Sequence, residues 1–178
     1  MKAYLIAGTF GLVLAAPALQ AQEAFGGAED TAYAQSLWQV MEDLRLAGDG
    51  MIMGTPYEGT DPHGMMLETF YTSASIEGHE GDLIVKRNYG PQGVTADQVL
   101  SAPGEHLGSL TVMFRREEGY DSDNANWFWA KYLPDGTLDK TPNDMQMAGR
   151  IAKGADQGCI ACHSGEADYV FTSDHLSQ

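Results

Sequence analysis

Apolar positions along this chain follow two different rhythms. From Asp30 onward, Tyr33, Leu37, Val40, Met41 and Leu44 recur every three or four residues, and Trp38 and Leu46 widen the stripe. This spacing predicts an amphipathic helix packed along a sheet, with Gly48-Asp49-Gly50 supplying its stop. Beyond Gly50 the rhythm shortens. Runs at 66–72 (MLETFYT), 83–88 (LIVKRN), 110–116 (LTVMFRR) and 127–133 (WFWAKYL) are rich in β-branched and aromatic residues and are separated by Gly, Pro and Asp. They read as strands. In the third run Leu110, Val112 and Phe114 alternate with Thr111, Met113 and Arg115, the signature of one covered face. The fourth has bulk on both faces and is expected to lie between the core and a large apolar object. Pro134-Asp135-Gly136 reads as a tight turn, and Thr95 to Gln98 as a capping box opening a brief helix closed by Pro103. The expectation is one α+β domain: an antiparallel, sheet-rich body with an N-terminal helix and a C-terminal Cys-x-x-Cys-His segment.

The first residues belong to a different pattern. Met1-Lys2 is followed by an uncharged, mostly apolar stretch to Leu14, then by small residues around Ala15 to Ala18 and by Leu19-Gln20-Ala21. This is the three-part form of a secretory signal, so residues 1–21 are expected to be removed on export. As a membrane anchor the run is at the lower length limit, about 17 residues, and Pro17 interrupts it. Residues 22–29 read as a flexible leader and 30–178 as the folded domain. No later segment is apolar enough to span a bilayer.

Charge narrows the partners. Ten Lys and Arg stand against 25 Asp and Glu among 178 residues, a formal charge of −15. Such a chain is repelled by nucleic-acid phosphates and by anionic membrane surfaces. A redox partner would have to present a basic docking face, with an association rate that falls as salt rises.

The chemistry is concentrated at Cys159-Ile160-Ala161-Cys162-His163. Cys-x-x-Cys-His is the attachment sequence of c-type haem: two thiols reach two vinyl groups of one porphyrin, and the adjacent imidazole ligates the iron. A thioredoxin-like pair would follow an early strand in a βαβ unit, and a zinc site would need a further set of ligands. Neither context is present. The expected cofactor is therefore one haem c, anchored by Cys159 and Cys162, with His163 as proximal ligand. The sixth position is left open by composition, with Met113, Met145, Met147 and His63 as candidates, whereas His79, His106 and His175 read as turn, loop and tail residues. A second strong ligand would make an electron carrier, and an open position a site for small molecules. Asp121 to Asn126 has the look of a calcium loop but lacks its sixth-position Gly and twelfth-position Glu, and reads as a polar turn.

Several segments together resemble a known family. Pro62-His63-Gly64, Ile84 to Tyr89, Thr111 to Phe114, Gly119-Tyr120-Asp121, Asn126 to Tyr132, Pro134-Asp135-Gly136, Gly149-Arg150, the Cys-x-x-Cys-His motif and Asp168 to Thr172 occur in this order. This resembles the cytochrome P-460 family, which includes the cytochromes c-prime-beta, from about Trp38 to Thr172. The resemblance implies a β-rich homodimer with one five-coordinate haem c. It implies either hydroxylamine oxidation by a haem cross-linked to a lysine, or binding of nitric oxide or carbon monoxide under an aromatic cap. Lys86 and Lys131 are the candidates for the cross-link. Arg87 departs from the pattern, since many relatives are expected to carry an acid there. Phe70, Phe114, Phe128 and Trp129 are candidate caps, with core packing as their plainer role. Glu68 and Glu105 are candidate bases for hydroxylamine oxidation, with a solvated surface role as the default.

Overall fold

The computed structural model describes residues 25–171, so the signal expected at 1–21 and His175 lie outside the described residues. Helix α1 (Ala28–Asp43) is followed by strands β1 (Tyr57–Glu58), β2 (Met66–Ile76) and β3 (His79–Tyr89). Two short helices, α2 (Ala96–Ser101) and α3 (Pro103–His106), lead to β4 (Leu107–Arg115), β5 (Trp127–Tyr132) and β6 (Ala148–Gly149). A one-turn helix, α4 (Cys159–His163), then carries the cysteine motif. The fold is α+β, as the two rhythms predict. All six strands form one antiparallel sheet in the order β1-β2-β3-β4-β5-β6, each strand pairing with its neighbours in sequence.

Helix α1 forms where the stripe predicts, but it stops earlier. Leu46 N–H reaches back to Met41 C=O and Arg45 N–H to Glu42 C=O, with Arg45 at φ 58°. This is a Schellman ending built on an arginine instead of a glycine, and so it precedes the Gly48 signal. At the other end, Phe25 packs beside the cysteine motif, Gly26 N–H bonds Ala148 C=O at 2.8 Å, and Ala28 and Glu29 are already helical. The capping box at Thr95 is present and opens α2. Strands β2 and β3 are joined by Glu77-Gly78, at φ 53° and 85°, the two positive values that a tight hairpin with the native strand twist requires.

Cross-strand register sorts the side chains into two faces. On one lie Leu83, Phe114 and Phe128 in a row, then Phe70, Val85, Val112 and Ala130, then Glu68, Arg87, Leu110 and Tyr132. Helix α1 covers this face with Tyr33, Leu37, Trp38 and Met41, and Tyr132 Oη donates to Ala34 C=O at 2.7 Å. Each side chain fully enclosed here, such as Leu37, Phe114 or Phe128, contributes about 1.5–3 kcal/mol by leaving water.

A buried ion pair ties down the segment after α1. Arg87 Nη1 lies 3.2 Å from Glu68 Oε2, with both side chains enclosed. Arg87 also donates to Leu46 C=O and Ile52 C=O, and Glu68 accepts from Tyr89 Oη at 2.5 Å and Gly54 N–H at 2.6 Å. The expectation of a solvated Glu68 is thus corrected: strand parity turns it to the helix-covered face, beside a cation. Arg87, the departure from the family pattern, points the same way, opposite to Lys86.

Candidate functional site

The second face of the sheet carries Tyr71, Ile84, Met113 and Trp129 in one row and Thr69, Lys86, Thr111 and Lys131 in the next. Helix α4 packs against it. Positions three apart on a helical turn share a side, so Ile160 and His163 are both buried toward the sheet, and Ile160 joins Met113, Trp127, Trp129 and Ile151 in a second apolar cluster. Cys159 is half-buried and Cys162 exposed, both as free thiols, and burial raises the Cys159 pKa.

His163 is oriented by the chain that follows it. Its Nδ1 lies 2.7 Å from Tyr169 C=O. A carbonyl can only accept, so Nδ1 carries the proton and Nε2 keeps its lone pair, the tautomer a metal-binding imidazole needs. The Tyr169 carbonyl is itself held in place. Asp168 and Tyr169 adopt φ 55° and 62°, Arg115 Nη2 contacts Asp168 Oδ2 at 2.5 Å, Trp127 Nε1 donates to Asp168 C=O at 2.9 Å, and Tyr169 Oη donates to Asn124 Oδ1 at 3.1 Å. The His163 ring packs edge-on against Trp129 and Phe171, each with centroids 4.9 Å away. Its pKa is lowered, chiefly by burial, against the Tyr169 hydrogen bond.

A second imidazole stands close by. His63, in the connection between β1 and β2, has its Nδ1 3.2 Å from Thr111 Oγ1, and its ring centroid lies 6.1 Å from that of His163 at an interplanar angle of 81°. Burial, then the charges of Lys86, His163 and Lys131, push its pKa down to about 4. The two lysines that flank Thr111 across the sheet differ. Lys131 Nζ forms a 2.8 Å ion pair with Asp139. Lys86 makes no ion pair or hydrogen bond among the described residues, and burial lowers its pKa.

The register therefore brings Lys86 and Lys131 onto the face that also receives His163, where each is half-buried. Trp129 is here too, against His163. Phe70, Phe114 and Phe128 are not: the same parity places them under α1. Glu105 is exposed on α3, and the carboxylate that this face does hold is Asp139. His79 opens β3, with its ring nitrogen 3.1 Å from Arg115 C=O, instead of forming the turn, and His106 is half-buried at the end of α3 instead of solvated in a loop. Asn124 and Asp121 form a hydrogen-bonded polar turn, as expected. Thr111, Asp139 and Tyr169 were not distinguished as site residues. Thr111 had a signal, since alternation puts it on the same side of its strand as Met113; a backbone carbonyl such as that of Tyr169 has none.

The residues present fit a c-type haem. Two free thiols share one side of a helical turn, the neighbouring imidazole keeps Nε2 for a metal, and the indole Nε1 of Trp129 is buried without a partner beside it. Among the described residues no three His, Cys, Asp or Glu side chains are grouped to hold a metal ion by themselves, and no helix is long and apolar enough to cross a membrane.

Fold and motif together define the class: an α+β protein whose Cys159-x-x-Cys162-His163 spacing is that of c-type haem attachment, and hence a haem-c-binding protein in the broad sense of the c-type cytochromes. Compared with known proteins, the chain matches no family model, no curated protein and no solved structure.

Proposed function

We propose that the chain is an exported mono-haem c-type cytochrome that binds or redox-converts small nitrogen species, nitric oxide or hydroxylamine, at a haem that Cys159, Cys162 and His163 would hold. The observation that carries this reading is the Nδ1 bond from His163 to the Tyr169 carbonyl, which reserves Nε2 for the metal on the helix that bears both thiols. When bound, the haem supplies an iron that exchanges electrons and takes small ligands. The protein's part would be to anchor it through Cys159 and Cys162, orient His163 through the Tyr169 carbonyl, and keep Trp129 packed against the His163 ring.

The resemblance to the cytochrome P-460 family favours nitrogen-oxide chemistry, and the contrast between the two lysines refines it. Lys86 is the better candidate for a haem linkage, because its amine is desolvated and unpaired whereas Lys131 is held by Asp139. Joining that nitrogen to a porphyrin carbon expels two hydrogens and therefore requires a two-electron oxidant of the peroxide class. An electron-transfer cytochrome is the second reading, favoured by the nearness of His63 to His163.

The test is the optical spectrum of the dithionite-reduced protein, made with haem-maturation machinery. A strongly red-shifted, broadened Soret band selects the cross-linked, hydroxylamine-oxidising form, and peptide mass then locates the lysine. A c-type spectrum that shifts on adding nitric oxide or carbon monoxide selects gas binding. A low-spin spectrum indifferent to both gases selects electron transfer and overturns the proposal.

A further inference from the structure

We propose that His63 occupies the iron's sixth position in the resting protein and withdraws to admit a small ligand. The proposal rests on the haem-c reading and deepens it at one point, the group that faces His163.

Spacing is the first observation. Two imidazoles held on opposite sides of one metal ion by nitrogen bonds of about 2.0 Å have ring centres roughly 6 Å apart. His63 and His163 have centroids 6.1 Å apart, and their interplanar angle of 81° is one that rotation about a shared axis permits. The second observation is the hydrogen bonding. In each ring Nδ1 is engaged, by Tyr169 C=O in His163 and by the Thr111 hydroxyl in His63, and neither Nε2 has a hydrogen-bond partner among the described residues. Engagement of Nδ1 is what fixes a ligating imidazole in register.

Of the other candidates, Met113 and Met147 pack in the apolar cluster around Ile160, and Met145 lies in the 141–145 turn with its N–H bonded to Thr141 Oγ1.

The two imidazoles are mounted differently, which makes one of them the leaving group. His163 sits in α4 next to both thioether-forming cysteines and cannot leave without unwinding that turn. His63 sits in a connection, outside the strands, with its N–H bonded to Thr60 C=O and its side chain to Thr111 alone. Gly64 beside it, at φ 149°, lets the loop run close to β3: a Cβ there would come within 3.1 Å of Tyr89 C=O. A small shift of this loop breaks one side-chain hydrogen bond and frees the position.

The experiment uses the full chain carrying covalent haem, with electron paramagnetic resonance and optical spectra of the oxidised protein at neutral pH. The expected result is a low-spin iron with two imidazole nitrogens. His63→Ala should turn it high-spin, free imidazole should restore the low-spin signal, and the apparent carbon monoxide affinity of the reduced variant should rise at least about tenfold, the factor by which a tenth-populated open state depresses it. A high-spin wild type, or a His63→Ala variant that stays low-spin, overturns the assignment. Should His63→Ala fail to fold, the count of imidazole nitrogens on the wild-type iron decides alone. Absence of haem from the denatured chain sinks the haem reading itself, whereas covalent haem with five-coordinate iron sinks only the role of His63.

Discussion

The two faces of this sheet are made by alternate residues of the same strands and are built to opposite specifications. Under α1, Leu83, Val85, Leu110, Val112, Phe114 and Phe128 pack without polar interruption, and the one charged pair, Glu68–Arg87, is matched by hydrogen bonds on both partners. Under α4, Lys86, Thr111, Lys131 and His63 lie among Met113, Trp127 and Trp129, and the Trp129 N–H has no partner among the described residues. On the first face the charged groups pair with each other; on the second Lys86 has no ion pair among the described residues and is held there at a cost in desolvation. A buried polar group without a partner is expensive; among the described residues Trp129 Nε1 is one on the second face and the Tyr33 hydroxyl is one under α1, so the faces differ in their charged groups and not in unpaired atoms.

That contrast can be broken by mutation. The largest effect is expected at the motif: Cys159→Ala with Cys162→Ala should remove all covalent haem, read as haem stain on a denaturing gel, while far-ultraviolet circular dichroism stays native. Haem retained through denaturation would end the reading. Next, Phe128→Ala on the helix-covered face should cost about 3–5 kcal/mol in urea unfolding and leave the haem spectrum unchanged; an altered spectrum would mean that the faces are coupled. Glu68→Gln should cost about 3–5 kcal/mol, because the amide leaves Arg87 buried without its counter-charge.

The smallest effect is expected at Lys86. In the cysteine-free background Lys86→Met should shift stability by less than ~1 kcal/mol, toward the variant at pH 7. Burial holds this amine's pKa below 10.5 in the fold, so between the lowered value and 10.5 the unfolded chain binds more protons. Wild-type stability should therefore gain on the variant as pH rises through that window, and a gap that widens instead would mean Lys86 is paired after all.

The helix-covered face was legible because hydrophobic alternation reports which residues avoid water. Leu110, Val112 and Phe114 announced it, and the bulk of 127–132 on both sides rightly indicated that β5 is covered twice. The other face was only half legible. Alternation marks Lys86, Thr111 and Lys131 as off the core, and a solvated face and a site face look alike in that code. Only α4, arriving from the far end of the chain, distinguishes them. The motif named Cys159, Cys162 and His163 directly, since covalent attachment dictates local spacing. His63, a hundred residues before His163, reaches the same place through loop geometry that leaves no periodic trace. The early end of α1 was hidden for a similar reason: an arginine in the left-handed region carries no glycine to reveal it.

The meander order of the sheet bears on timing. Strands that are neighbours in space are neighbours in sequence, so each pairs as soon as its predecessor exists, and local pairings of this kind form quickly. Every strand precedes Cys159 along the chain. The sheet's ladders thus draw on no residue of the attachment motif. Strand pairing and closure of the attachment turn are therefore separate events, the first drawing only on chain that is synthesised before the second.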